Sequence, residues 1–263
     1  MEYTNMKKIT LALFLTSFAL VSWANPGRYQ ISQACVEVGC FSGDDPLTKT
    51  VEITQSSGTF VLTSNLVFDG SDNGMPAILI DTNALHGSAV TLDLNGFKIF
   101  HTGIADAATN GVVVEGQNSE VRIMNGQISA FNDGIQGRSG AGLIIENMVF
   151  RINRDDAVSL TRGVIRNNKF HANNYGVFAV NGTGVIATDE FNKKIMLVEN
   201  MFSDSEAGQK ATAGFSSGGY CRDNVNTIPD NNNFGACTLV GDNICDGAPC
   251  SNNRSTAKQL GKE

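Results

Sequence analysis

The sequence predicts an all-β chain wound as a single-stranded parallel β-helix with disulfide-closed terminal caps. Three observations point there. A block of short apolar strand, asparagine and polar turn recurs from Val90 to Phe202. Asparagine and glycine supply 27 and 28 of the 263 positions, and these are the residues that tolerate left-handed backbone most readily. The six cysteines lie outside the repeat, with Cys35 and Cys40 before it and Cys221, Cys237, Cys245 and Cys250 after it.

The repeat is read directly in Val90–Ile99 around Asn95, Val121–Ile128 around Asn125, Leu143–Phe150 around Asn147, Val164–Phe170 around Asn167, and Ile195–Phe202 around Asn200. A second signal, Gly134-Ile135, Ala157-Val158 and Gly176-Val177, follows about ten residues later in the middle blocks. Recurrence near 20 residues without a helical period marks a solenoid, each turn of which buries its inner face only against its neighbours. Three short strands per turn then stack equivalent residues about 4.8 Å apart.

On this reading Ile123, Ile145, Ile165, Val149, Phe170, Ile135, Val158, Leu160 and Val177 point inward, and their burial at roughly 25 cal/mol per Å² holds the turns together. The five asparagines are expected to stack at one bend, where each amide satisfies turn backbone left unpaired by the strands. Replacing an interior one such as Asn147 by Ala is expected to cost about 1–3 kcal/mol.

Residues 1–24 read as a signal peptide: Lys7 and Lys8, the apolar run Ile9–Val21, then Ser22-Trp23-Ala24 with small residues where a signal peptidase cuts. The run is shorter than the about 20 residues a spanning helix needs, so no membrane insertion is expected after cleavage, and a secreted or periplasmic location follows. The β-helix domain is placed at 25–250, with 25–58 as N-terminal cap carrying a short helix over 31–38, 203–235 as a long loop insertion, and 251–263 as a polar tail. An even cysteine count on an oxidising route favours disulfides, and proximity suggests Cys35–Cys40, Cys221–Cys237 and Cys245–Cys250 among fifteen connectivities. A zinc cluster would need closely paired ligands such as Cys-x-x-Cys, which the sequence lacks.

The formal net charge is −7, and loss of Lys7, Lys8 and Glu2 with the signal makes it one unit more negative. With no basic run to neutralise phosphates, nucleic acid and anionic lipid are discarded as partners.

The repeated Asn-Gly-x-Ile and Asn-x-Phe units and the Gly-Ile strand starts resemble the right-handed parallel β-helix proteins of the pectate lyase-like superfamily over roughly residues 55–245. The resemblance implies a right-handed coil and an extracellular polysaccharide as partner; lyases, glycoside hydrolases, epimerases, tailspikes and adhesins share this look. A narrower likeness is to polygalacturonases, which carry Asn-Thr-Asp-Gly, then Asp-Asp one coil on, then Gly-His-Gly. Here Asn132-Asp133-Gly134 is followed by Arg154-Asp155-Asp156. In the third coil Tyr175 stands where the histidine would be, and no Arg-x-Lys counterpart is found.

The register puts Asp133 and Asp156 in one column with Asp155 beside it. Carboxylates about 5 Å apart let one stay protonated as a general acid while its neighbour ionises. They are also hard oxygen donors, so Ca²⁺ stays open as a cofactor, with an arginine as base or charge clamp as in the pectate lyases the chain is similar to. The candidate catalytic residues are therefore Asp133, Asp155, Asp156 and Arg154; Arg138, Tyr175 and Phe178 are the candidate substrate contacts, the aromatics as a sugar-stacking platform. A plainer role is turn chemistry, in which each Asp bonds backbone and Arg154 neutralises the acids.

Asp69-Gly70-Ser71-Asp72-Asn73-Gly74 opens like a calcium loop, but its twelfth position is Ile80 rather than Glu, so no metal is assigned there. His86 and His101 have no partner at ligand spacing. The function expected is binding or processing of an extracellular polysaccharide on the strand face, by lyase or hydrolase chemistry. The alternative is a non-catalytic structural or adhesive protein of the cell surface or matrix.

Overall fold

The computed structural model describes residues 28–250 apart from 56, 70–73, 83–88, 104–107, 117–118, 139–141, 161, 172, 174–184, 188–194, 204–212, 216–218, 227–236 and 246–247. The signal segment, the tail after Cys250, and the expected inward position of Val177 lie outside the described residues. The chain is all-β with long parallel sheets, an arrangement compatible with a β-helix. Among the described residues no helix is long and apolar enough to cross a membrane.

Strands fall on three faces. The first holds Arg28–Ile31, Ser57–Leu62, Ala89–Asp93, the leading half of Glu120–Ser129 and of Gly142–Arg151, Arg162–Arg166, Ile195–Val198, Gly219–Arg222 and Cys237–Val240. The second holds Leu66–Phe68, Lys98–His101, the trailing halves of the two long strands, Lys169–His171, Met201–Ser203, Val225–Asn226 and Ile244–Cys245. The third holds Val51–Ile53, Ile78–Asp81, Val112–Glu115, Ile135–Gly137, Val158–Leu160, Val185–Ala187 and Ala213–Phe215. Pairing between repeats is parallel and in register throughout these faces, as in Ile123↔Ile145↔Ile165 and Val112↔Ile135↔Val158.

From Asn95 onward each bend between the first and second faces contains a left-handed residue: Asn95, Asn125, Asn147, Asn167, Glu199 and Asp223, with φ of 50–61°, and Gly241 at 71°. Asn and Asp accept this conformation at low cost because their short polar side chains bond locally. The left-handed residue also shifts the side-chain alternation. In Gly142–Arg151, Leu143 and Ile145 point inward before Asn147, and Met148 and Phe150 after it. Val149, expected inward, therefore faces out and is only half-buried, a one-residue slip that the bend dictates. Ile123, Ile145, Ile165, Phe170, Ile135, Val158 and Leu160 are all buried.

The asparagines divide into two columns instead of one. Those at the left-handed position are exposed or half-buried, and among the described residues Asn147 makes one side-chain bond, from its Nδ2 to Asn125 Oδ1 at 3.3 Å. The buried column is the next residue along: Asn168, Asn200, Asn224 and Asn243. Each Nδ2 in Asn168, Asn200 and Asn224 donates to the Oδ1 of the following member at 3.0–3.1 Å. Each also donates to a first-face carbonyl of the preceding repeat, as Asn200 does to Ile165 O at 2.9 Å. Asn200 thus belongs to a different column from Asn147, since Glu199 occupies its expected place at the bend. A second buried pair, Asn153 and Asn173, bridges at 2.9 Å and receives the backbone N–H of Phe131.

Aromatic rings stack along the core of the second face, Phe150 on Phe170 at 5.1 Å and Phe170 on Phe202 at 4.8 Å. At the N-terminal end the helix is shorter than expected, Cys35–Val38, because Arg28–Ile31 pairs in parallel with Ser57–Leu62. The Cys35–Cys40 and Cys245–Cys250 disulfides are formed, and Cys221 is disulfide-bonded as well. Ile244–Cys245 turns back antiparallel on Ala248–Pro249, so the sheet edge there is paired. Within 203–235, expected as a loop insertion, Ala213–Phe215, Gly219–Arg222 and Val225–Asn226 carry all three faces onward. Their small and polar composition hides strands whose stability comes from neighbouring repeats.

Candidate functional site

The site lies at the turn that feeds the third face. Val112, Ile135 and Val158 are paired, so the residues two places earlier, Asn110, Asp133 and Asp156, occupy equivalent positions. The turn is held by backbone bonds from Gly111 N–H to Asp133 O at 2.9 Å and from Gly134 N–H to Asp156 O at 2.8 Å. Gly134 is required here, because a Cβ on it would stand 2.5 Å from Ala157 O.

Side chains form a second ladder along the same column. The backbone N–H of Asp133 donates to Asn110 Oδ1 at 3.1 Å, and that of Asp156 donates to Asp133 Oδ1 at 3.3 Å. Asp133 Oδ2 also accepts from Gln136 Nε2 at 3.1 Å. Gln136 Oε1 in turn accepts from Asn110 Nδ2 and from Arg138 Nε, the latter at 2.6 Å. Asp133 and Asp156 are 4% and 5% exposed, whereas Asp155 and Arg154 face solvent.

One carboxylate oxygen from each of Asp133, Asp155 and Asp156 lies within 4.8 Å of the others. Burial pushes the Asp133 carboxyl up from 3.8 to about 6, and Asp155 adds to the rise. The Asp156 backbone N–H, Arg138 and Gln136 oppose it. Partial burial also raises Asp155, against the attraction of Arg154. Asp133 is therefore a protonated carboxyl beside acidic neighbours in mildly acidic solution, the state a general acid requires. The three oxygens also suit Ca²⁺, whose bonds of about 2.3–2.6 Å span such separations. They would provide three of its six to eight ligands, leaving the rest to water or a sugar carboxylate.

Sequence spacing thus brings Asp133, Asp155, Asp156 and Arg154 together. Arg138 braces the column, its Nη1 2.9 Å from Glu115 Oε1 and its Nε donating to Gln136, while its side chain stays about half exposed. Tyr175 and Phe178 lie outside the described residues, as do His86 and most of the Asp69–Gly74 segment. His101 is buried, with Nε2 on Asp69 O and Nδ1 accepting from Gly103 N–H, a structural role. Asn110, Gln136 and Glu115 were not singled out from the sequence. Asn110-Gly111-Val112 is the same turn signal as Asp133-Gly134-Ile135 one repeat earlier and marks the column. Comparison with family models, curated proteins and solved structures found no match to this chain.

Proposed function

We propose that this is an exported, right-handed parallel β-helix protein that binds or processes an extracellular polysaccharide at the Asp133–Asp155–Asp156 cluster. The observation that carries the reading is the convergence of three carboxylates within 4.8 Å, one of them held protonated to about pH 6. Turn chemistry alone needs only an amide oxygen, as Asn110 supplies one repeat earlier, so two successive aspartates and a third beside them ask for another use. The signal-like 1–24 segment and the disulfides support export.

In hydrolysis, Asp133 donates its proton to the leaving oxygen, and Asp155 or Asp156 serves as base or nucleophile on the other side of the bond. Arg154, exposed beside them, contacts a sugar carboxylate, which makes an acidic polymer the favoured partner. In elimination, Asp133, Asp155 and Asp156 would hold Ca²⁺ against the substrate carboxylate, where it would acidify the adjoining C–H; Arg154 would take that proton as the neighbouring glycosidic C–O bond breaks to leave a C=C bond, and the departing oxygen would be protonated by water.

A panel of acidic and neutral polysaccharides, with calcium and with chelator, tests the reading by unsaturated-product absorbance and new reducing ends. Both signals together mean a lyase, and reducing ends alone mean a hydrolase. The second reading is a non-catalytic surface or matrix protein. It is favoured by the burial of Asp133 and Asp156 and by the bond from Asp156 N–H to Asp133, which give these residues a turn role. Silence across the panel without gel retardation selects it.

A further inference from the structure

Charge is segregated by face. The third-face strands carry Glu52, Asp81 and Glu115 and not one Lys, Arg or His. The second-face strands carry Lys98, Arg151, Lys169 and His171 at outward positions, with His101 buried, and not one Asp or Glu. This cationic face sits on a chain whose net charge is −7.

Its outward side chains form two columns. Lys98, Gln127, Val149, Lys169 and Met201 are successive register partners in one, and Phe100, Ser129, Arg151, His171 and Ser203 in the other. Lys98, Arg151 and Lys169 are exposed, and their side chains form no ion pair among the described residues. Three arginines of the other strands and turns are paired: Arg122 and Arg166 flank Glu146, and Arg138 meets Glu115. Lys98 and Lys169 stand three rungs apart, about 14 Å along the stacking direction, with Arg151 and His171 on adjacent rungs beside them.

We infer that the second face is a docking surface for a linear acidic polysaccharide, laid along the stacking direction so that its carboxylate or sulfate groups meet Lys98, Arg151 and Lys169. The cations stand on the first, third and fourth of five successive rungs, so an acidic polymer laid along the stack meets each of them in turn. Val149, Phe100 and Met201 between them offer apolar contact to sugar ring faces. The inference rests on the polysaccharide reading for the class of polymer. The surface itself is separate from the aspartate cluster, so it would hold a chain that the cluster processes or simply retain the protein on a matrix.

Affinity electrophoresis through gels containing polygalacturonate, dextran sulfate or neutral dextran tests it. The wild-type protein is expected to be retarded by polygalacturonate, or by dextran sulfate if sulfate esters are the preferred anion, and not by neutral dextran. Retardation should weaken as ionic strength rises from about 0.01 M to 0.15 M, where the Debye length shortens from about 30 to 8 Å. The Lys98→Ala/Arg151→Ala/Lys169→Ala variant, with an unchanged melting temperature, should lose about tenfold or more in affinity, about 1.4 kcal/mol. Lys98→Arg/Lys169→Arg should keep it.

Equal retardation of the triple alanine variant overturns the docking surface and leaves the polysaccharide reading standing. Retardation by neutral dextran alone does the same. No retardation by any polymer overturns both. Tighter retention by a single-stranded oligonucleotide, or salt-sensitive self-association that the triple variant abolishes while polymer binding persists, overturns the assignment in favour of that partner.

Discussion

The backbone N–H of Asp156 donates to Oδ1 of Asp133 at 3.3 Å, joining the two candidate catalytic carboxylates through the turn that stacks one repeat on the next. The bond makes Asp133 both a structural acceptor and an acid, and the two roles separate by pH. At low pH its carboxyl is protonated whether the chain is folded or not. Between 3.8 and about 6 the unfolded carboxyl has lost its proton and the folded one keeps it. The folded state then binds more protons, so stability falls as pH rises through this window and is level above it. The fall is on the order of 3 kcal/mol. Asp133→Asn keeps an oxygen acceptor and should remove most of it, as read by urea unfolding at pH 4 and pH 7. An unchanged slope would mean that Asp133 ionises normally in the fold.

The buried amide column should matter far more than the exposed one. Asn200 donates to Ile165 O and Asn224 and accepts from Asn168, all inside the core. Asn200→Ala leaves several buried groups unsatisfied and should cost at least about 2 kcal/mol. Asn147→Ala removes one exposed bond, and the left-handed backbone there contributes most of its cost, about 1 kcal/mol. Chemical denaturation of the two variants side by side gives the order.

Phe170 lies between two stacked rings, Phe150 and Phe202, and is fully buried. Phe170→Ala should destabilise by about 3–5 kcal/mol. Its neighbour Lys169 is exposed, and Lys169→Ala should change stability by less than about 0.5 kcal/mol. Thermal melts distinguish an inward second-face column from the slipped register, which would reverse the order.

Gly134→Ala sets a Cβ against Ala157 O in the turn between Asp133 and Ile135. The backbone has to shift to relieve the contact, with an expected cost of about 1–3 kcal/mol. Because the same turn holds Asp133 against Asp156, the variant should also lower the apparent pH of Asp133 titration, observable by carboxyl-selective NMR.

Much of the core was legible because apolar alternation and a repeat near 20 residues force each inward position, as with Ile123, Ile145 and Ile165. What was misread depends on single backbone angles. The left-handed residue at Asn147 moves Val149 outward, and Glu199 takes a bend position that composition assigns to Asn200. Strand identity in Ala213–Phe215 and Gly219–Arg222 comes from pairing with the previous repeat, which no local pattern announces. At the site, Asp133 and Asp156 were legible from the glycine or alanine and β-branched residue after each. The bracing by Gln136, Arg138 and Glu115 was not, because it depends on which side chains share the outer surface of neighbouring rungs.

The most direct measurement compares the wild-type protein with Asp156→Asn on a panel of acidic and neutral polysaccharides, following reducing ends and unsaturated product. The account predicts release of product by the wild type and its loss in Asp156→Asn at an unchanged melting temperature. Equal rates for the two proteins would remove the aspartate cluster as the reacting site. Absence of both turnover and retardation in the wild type would contradict the polysaccharide reading itself.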